Sequence, residues 1–232
     1  MDNLFHQKAQ KARGFKMTST QILLSHTLIG LQLFAAMFAF SYWNKLKQTH
    51  WKWFIIYLNL IFLIEAFSRW GLAAHPTYRA YFYDFLGIPV QFLFFYWLYA
   101  SISLKNRKLF FWCILIYLLS FLPYFTLFAK GNIVYSLSYT VGNVLLMILV
   151  FLEILKQIKS DKILLFRENF MFYVNIGIVI FYIGTLPFFS FYGLIVKNQS
   201  LWMNYYTFFM IANHIMYLLF ISAFIWGKPN TY

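Results

Sequence analysis

The chain has 232 residues, of which 62% are hydrophobic, 24% aromatic and only 11% charged, with a formal net charge of +13. Soluble domains carry about 25% charged residues, and a deficit spread along the whole length argues against a soluble fold and for a polytopic membrane protein. The basic residues sit in short clusters between apolar runs, as membrane loops do, which argues against a nucleic-acid partner.

Residues 1–18 form a polar, basic tail with Lys8, Lys11, Arg13 and Lys16. The apolar run behind it is too long for a signal-peptide core. It holds His26 and Gln32 and ends at Tyr42, Trp43 and Asn44 without a small-residue cleavage site, so it reads as a first span over about 20–43. Six further spans are expected at 51–71, 80–104, 109–129, 133–156, 168–195 and 201–226. Each has about the 20 residues that a helix needs to cross a hydrocarbon core. The connections are short, which makes sequential helices antiparallel neighbours. The expected fold is therefore all-α: a seven-transmembrane-helix bundle over 19–226, followed by a short tail, 227–232. Cys113 lies within an apolar run and reads as a packed thiol. Pro187, after Gly184, is expected to kink the sixth helix, and Gly87 with Pro89 to do the same in the third. Tyrosines and tryptophans at the span ends read as an interfacial belt.

Lysine and arginine set the orientation. Eleven of them fall on one face of the predicted bundle and four on the other. The richer side should be cytoplasmic, which places the N-terminus outside and the C-terminus inside, in a cell membrane of the bacterial inner-membrane kind. The four basic residues of the tail oppose this count, and translation from Met17 would remove them.

The hairpin over 51–104 concentrates the costly groups. Glu65, Arg69 and Asp84 are ionisable and close to apolar segments, which makes them the default functional candidates. Asp84, Gly87 and Gln91 share one helical face; so do Glu65, Ser68 and Arg69, and so do Ser136, Thr140 and Asn143. Asn204, Thr207 and His214 share a side of the last span. With the N-terminus outside, these groups gather in the outer half. The pattern predicts an outward-opening, aromatic-lined pocket floored near His214. Glu65, Arg69 and Asp84 would hold the polar end of a small amphipathic ligand, with Gln91, Asn143 and His214 deeper. Such a module would signal through a separate cytoplasmic or membrane partner and would otherwise contact membrane lipids.

Structural roles compete for the same residues. Glu65 and Arg69 have the spacing and order of a helical ion pair. Asp84 has Arg79 and Arg69 as possible partners. The Asn, Gln, Ser and Thr set has the usual role of interhelical hydrogen bonding, and His214 that of a satisfied buried histidine. Other chemistries find little support. The last span has no mid-span lysine for a retinal Schiff base. The five histidines lack the spacing of an intramembrane zinc hydrolase. His26 and His214 make a poor axial pair for haem. There is no Gly-x-Ser-x-Gly elbow and no phosphate loop. No cofactor, metal or catalytic residue is therefore expected. A transporter or channel, a lipid-acting enzyme and a structural subunit remain the other classes. Asn198, Gln199 and Ser200 match a glycosylation acceptor.

The span layout and the charged hairpin from Glu65 to Asp84 resemble those of the small, aromatic-rich seven-helix membrane proteins of bacteria. They are also similar to the seven-helix sensing regions attached to bacterial signalling proteins. The resemblance implies a sensing role. It rests on layout rather than on a motif and carries over no ligand or catalytic residue.

Overall fold

A computed structural model describes residues 17–123, 133–159, 166–195 and 197–228. These are almost wholly helical, without strands beyond one bridge between Asn169 and Lys228. The helices are α1 (Ser19–Ser41), α2 (Lys52–Gly71), α3 (76–103), α4 (Arg107–Leu119), α5 (Ile133–Ile158), α6 (170–190) and α7 (Gln199–Trp226). Side-chain caps fix several starts. Thr18 and Gln21 form a reciprocal capping box on α1. Asn106, Asn169 and Asn198 accept the backbone N–H of Leu109, Met171 and Leu201 at the starts of α4, α6 and α7. Asn198, read above as a glycosylation acceptor, thus caps a helix.

Six of the helices are long and apolar enough to cross a membrane: α1, α2, α3 from Tyr83, α5 from Leu137, α6 as far as Phe188, and α7. The exception is α4, which has 13 residues and gives way to a turn at Ser120 and Phe121. Residues 124–129 of the expected fourth span lie outside the described residues, as do Lys130, Lys162, the side chain of Ser136 and the tail through Lys16.

The helices meet in an order that their sequence does not dictate. α1 packs between α2 and α7, and α7 packs on α6. α3 touches α2, α4 and α5, and α5 touches α6. Because α3 meets α5 directly, α4 is left on the outside, with Phe111 and Trp112 exposed. The close approach depends on Gly142: a Cβ there would stand 2.7 Å from the buried Phe92 ring and 2.9 Å from Tyr117. Its carbonyl accepts the Tyr96 hydroxyl at 2.7 Å.

One end of the bundle is an aromatic hub. Phe54 of α2 meets Phe94 of α3, Phe170 of α6, and Phe220 and Phe224 of α7. This is also the end that carries most of the described loop lysines.

Four helical stretches run in the wider π register: Phe67–Gly71, Tyr83–Gly87, Trp97–Ser103 and Val179–Ile183. Two of them lie within one turn before the expected kink sites, Pro89 and Pro187. A proline ring clashes with the carbonyl four residues back and supplies no N–H, so a locally widened turn is where it fits. The turn before Pro187 is also held from another helix. Asn143 of α5 donates its Nδ2 to the Tyr182 carbonyl at 2.7 Å.

Candidate functional site

At the end of the bundle away from the hub, α2 and α3 each carry a π turn, and the polar side chains cluster on and beside these turns. Ser68 and Arg69 sit on the first, Tyr83 and Asp84 on the second. The Tyr83 hydroxyl donates to Glu65 Oε2 in a short hydrogen bond that ties α3 to α2. Arg79 donates from Nε to Ser68 Oγ at 3.2 Å and lies over the Tyr83 ring at 6.0 Å from its centroid. Arg69 reaches α1, donating to the Ser25 carbonyl at 2.9 Å and meeting His26 Nδ1 at 3.3 Å. From α7, Tyr206 lies within electrostatic reach of Arg69, Arg79 and Glu65, and Tyr217 within reach of Glu65 and Tyr83. Residues of α1, α2, α3 and α7 therefore surround one cluster holding two guanidiniums and the Glu65 carboxylate.

The ion pairs read from spacing do not form. Among the described residues the pairs are Lys156 with Glu153 and Lys228 with Glu168. The π turn that begins at Phe67 widens α2 between Glu65 and Arg69 and directs Arg69 to α1. Glu65 takes Tyr83 instead. Asp84, half-buried, makes no hydrogen bond or ion pair among the described residues with Arg79, Arg69 or any other group. Its field reaches Tyr117 of α4, whose buried hydroxyl also lacks a partner there. The two terminal nitrogens of Arg79 are likewise unused among the described residues.

The deeper candidates are engaged elsewhere. Gln91 accepts the Tyr182 hydroxyl at 3.1 Å, and Asn143 holds the Tyr182 carbonyl. These two residues converge on α6 rather than on Glu65. His214 bonds the Met210 carbonyl through Nδ1 at 2.7 Å and Thr27 Oγ1 through Nε2 at 3.0 Å. A carbonyl only accepts, so Nδ1 carries a proton; the Thr27 hydroxyl also donates within α1, to the Leu23 and Leu24 carbonyls at 3.1 Å. Glu65 and Arg69 are thus brought together with Ser68, Arg79 and Tyr83, while Asp84, Gln91, Asn143 and His214 stand apart from these contacts.

Tyr83 is the participant that sequence reasoning missed, because a tyrosine near a span end reads as interfacial belt. A usable signal existed. In an antiparallel hairpin, residues equidistant from the turn face each other. With the turn at His75, Trp53 faces Trp97, Leu60 faces Val90, and Glu65 falls opposite the stretch that begins at Tyr83.

A second polar cluster was also missed, at the basic end. Glu153 of α5 is fully buried. It accepts the Ser103 hydroxyl in a short hydrogen bond and Gln157 Nε2 at 2.9 Å. Lys156 lies 3.6 Å from it and donates to the Ser103 carbonyl at 2.8 Å. Among the described residues, no three His, Cys, Asp or Glu side chains gather as metal ligands.

Six membrane-length apolar helices define an integral, multi-pass membrane protein. Comparison with known proteins adds no narrower identity: no family model, no curated protein and no solved structure matches the chain.

Proposed function

We propose that this protein is a seven-span membrane sensor, with its N-terminus outside and its C-terminus cytoplasmic, that binds a small amphipathic ligand carrying an anionic group. The binding cluster is Glu65, Arg69, Arg79, Tyr83 and Asp84. One observation carries the reading: two guanidiniums share a cluster with the Glu65 carboxylate without pairing with it, and the terminal nitrogens of Arg79 keep their donors free among the described residues. A planar guanidinium with free paired donors matches a carboxylate or phosphate group. The Tyr83 hydrogen bond holds Glu65 back from competing for Arg79, and the aromatic interior suits the apolar part of the ligand. Placement on two π turns supports the reading further, since such turns recur at functional sites. Binding would reach the other end through α3, whose Gln91 holds Tyr182 on the π segment before Pro187. A separate cytoplasmic or membrane partner would carry the signal on.

The test compares an alkyl phosphate or medium-chain carboxylate with the neutral alcohol of equal chain length, read as a thermal shift of the purified protein. The anion should stabilise the wild-type protein, by about 2.7 kcal/mol at one hundred times its Kd. It should not stabilise Arg79→Gln. An equal shift from the alcohol, or an undiminished shift in Arg79→Gln, would refute the assignment.

A further inference from the structure

A second site lies at the basic end and is independent of the cluster above. Between α2 and α3, on the face of the bundle where Trp53 and Leu60 are exposed, runs an apolar groove of about 520 Å³. Trp53 and Trp97 form one end, with ring centroids 6.3 Å apart. Leu60 and Val90 form the other. Tyr57 and Phe94 stack at 4.1 Å along it. From Trp53 to Leu60 the groove runs about 10 Å along the helix axis.

Its tryptophan end opens into positive charge. Lys52 lies with Nζ 5.7 Å from the centroid of the Trp53 ring. Lys45 and Lys47 precede it in the connection from α1; Lys105, Arg107 and Lys108 follow α3 on the other side. Neither connection contains an acidic residue. The carboxylates described at this end, Glu153 and Glu168, already pair with Lys156 and Lys228. Because Trp97 faces Trp53, α3 runs on past the start of α2 and carries Lys105 about 10 Å further from the membrane centre. Lys105 also adopts φ 53°, a left-handed helix end that glycine adopts more readily. A cation is held there at a conformational cost.

We infer that this groove binds one anionic phospholipid, with an acyl segment along Tyr57 and Phe94 and the phosphate between Lys52 and Lys105. The charge at the mouth selects the headgroup, and the aromatic walls select a chain.

Native mass spectrometry of the full-length protein, titrated in neutral detergent with phosphatidylglycerol or phosphatidylcholine of the same chains, tests this. The wild-type protein should retain one phosphatidylglycerol in preference to phosphatidylcholine. Lys52→Gln should cut that preference about fivefold, the effect of one lysine near an anionic surface. Val90→Trp, which fills the groove, should abolish retention of both lipids. Arg79→Gln should leave retention unchanged, so failure here and failure of the sensor assignment are separable. Equal retention of the two lipids by the wild-type protein, or an unaltered preference in Lys52→Gln, would overturn the inference.

Discussion

The two ends of the α2–α3 hairpin use the same residue types to opposite effect. At the basic end the buried carboxylate is fully engaged: Ser103 and Gln157 bond Glu153, and Lys156 lies beside it. Aromatic rings fill the space around Phe54. At the end beside His75, Glu65 takes only Tyr83, Arg79 keeps free donors, and Asp84 has no partner among the described residues. A buried polar group that finds its partner contributes stability, whereas one left with bonding capacity is costly. The first arrangement builds a scaffold. The second fits a site that waits for a ligand.

If that contrast holds, substitutions at the two ends differ in kind. Phe54→Ala, which empties the centre of the hub, should cost about 3–5 kcal/mol, read from unfolding in detergent with a reversible denaturant. Glu153→Ala should cost about 1–3 kcal/mol, because it leaves Ser103 and Gln157 without their acceptor. Glu153→Gln should recover part of the loss. Gly142→Ala tests the packing of α5 on α3 alone; the added methyl must displace the Phe92 ring, at about 1–3 kcal/mol. Asp84→Asn should change stability by less than about 0.5 kcal/mol, or raise it, since no partner is lost. A large destabilisation by Asp84→Asn would erase the difference between the ends.

The smallest expected effect is a pH dependence in the connection from α1 to α2. His50 packs against Trp51 with ring centroids 4.8 Å apart, and burial lowers its pKa from the ordinary 6.5. The folded state then favours the neutral ring. That contribution is present above pH 6.5 and is lost as acidification charges the imidazole. Thermal midpoints of the wild-type protein should fall between pH 7 and 5 by more than those of His50→Gln.

Much of the architecture is legible in the sequence, because apolar runs of membrane length leave the backbone little choice but helix. The hairpin was legible for the same reason, and Glu65, Arg69 and Asp84 stood out by their cost. Their partners were not legible. The π turns at Phe67 and Tyr83 break the 3.6-residue period on which face assignments rest, so the Glu65–Arg69 pairing read from that period does not form. Asn143 serves the Tyr182 carbonyl on another helix, a relation that only the packing of α5 on α6 creates. The engagement of His214 by Thr27 likewise depends on α7 closing against α1. Nothing in the spacing of either helix announces it.

The most direct test of the contrast is native mass spectrometry of gently purified wild-type protein beside Arg79→Gln. A stoichiometric small anionic amphiphile is expected on the wild-type protein and is expected to be lost from Arg79→Gln, whose ligand-free form should still fold, at a cost of about 1 kcal/mol for the lost bond to Ser68. A wild-type protein free of any such species even after incubation with alkyl phosphates and medium-chain carboxylates, or the same species retained by Arg79→Gln, would contradict it.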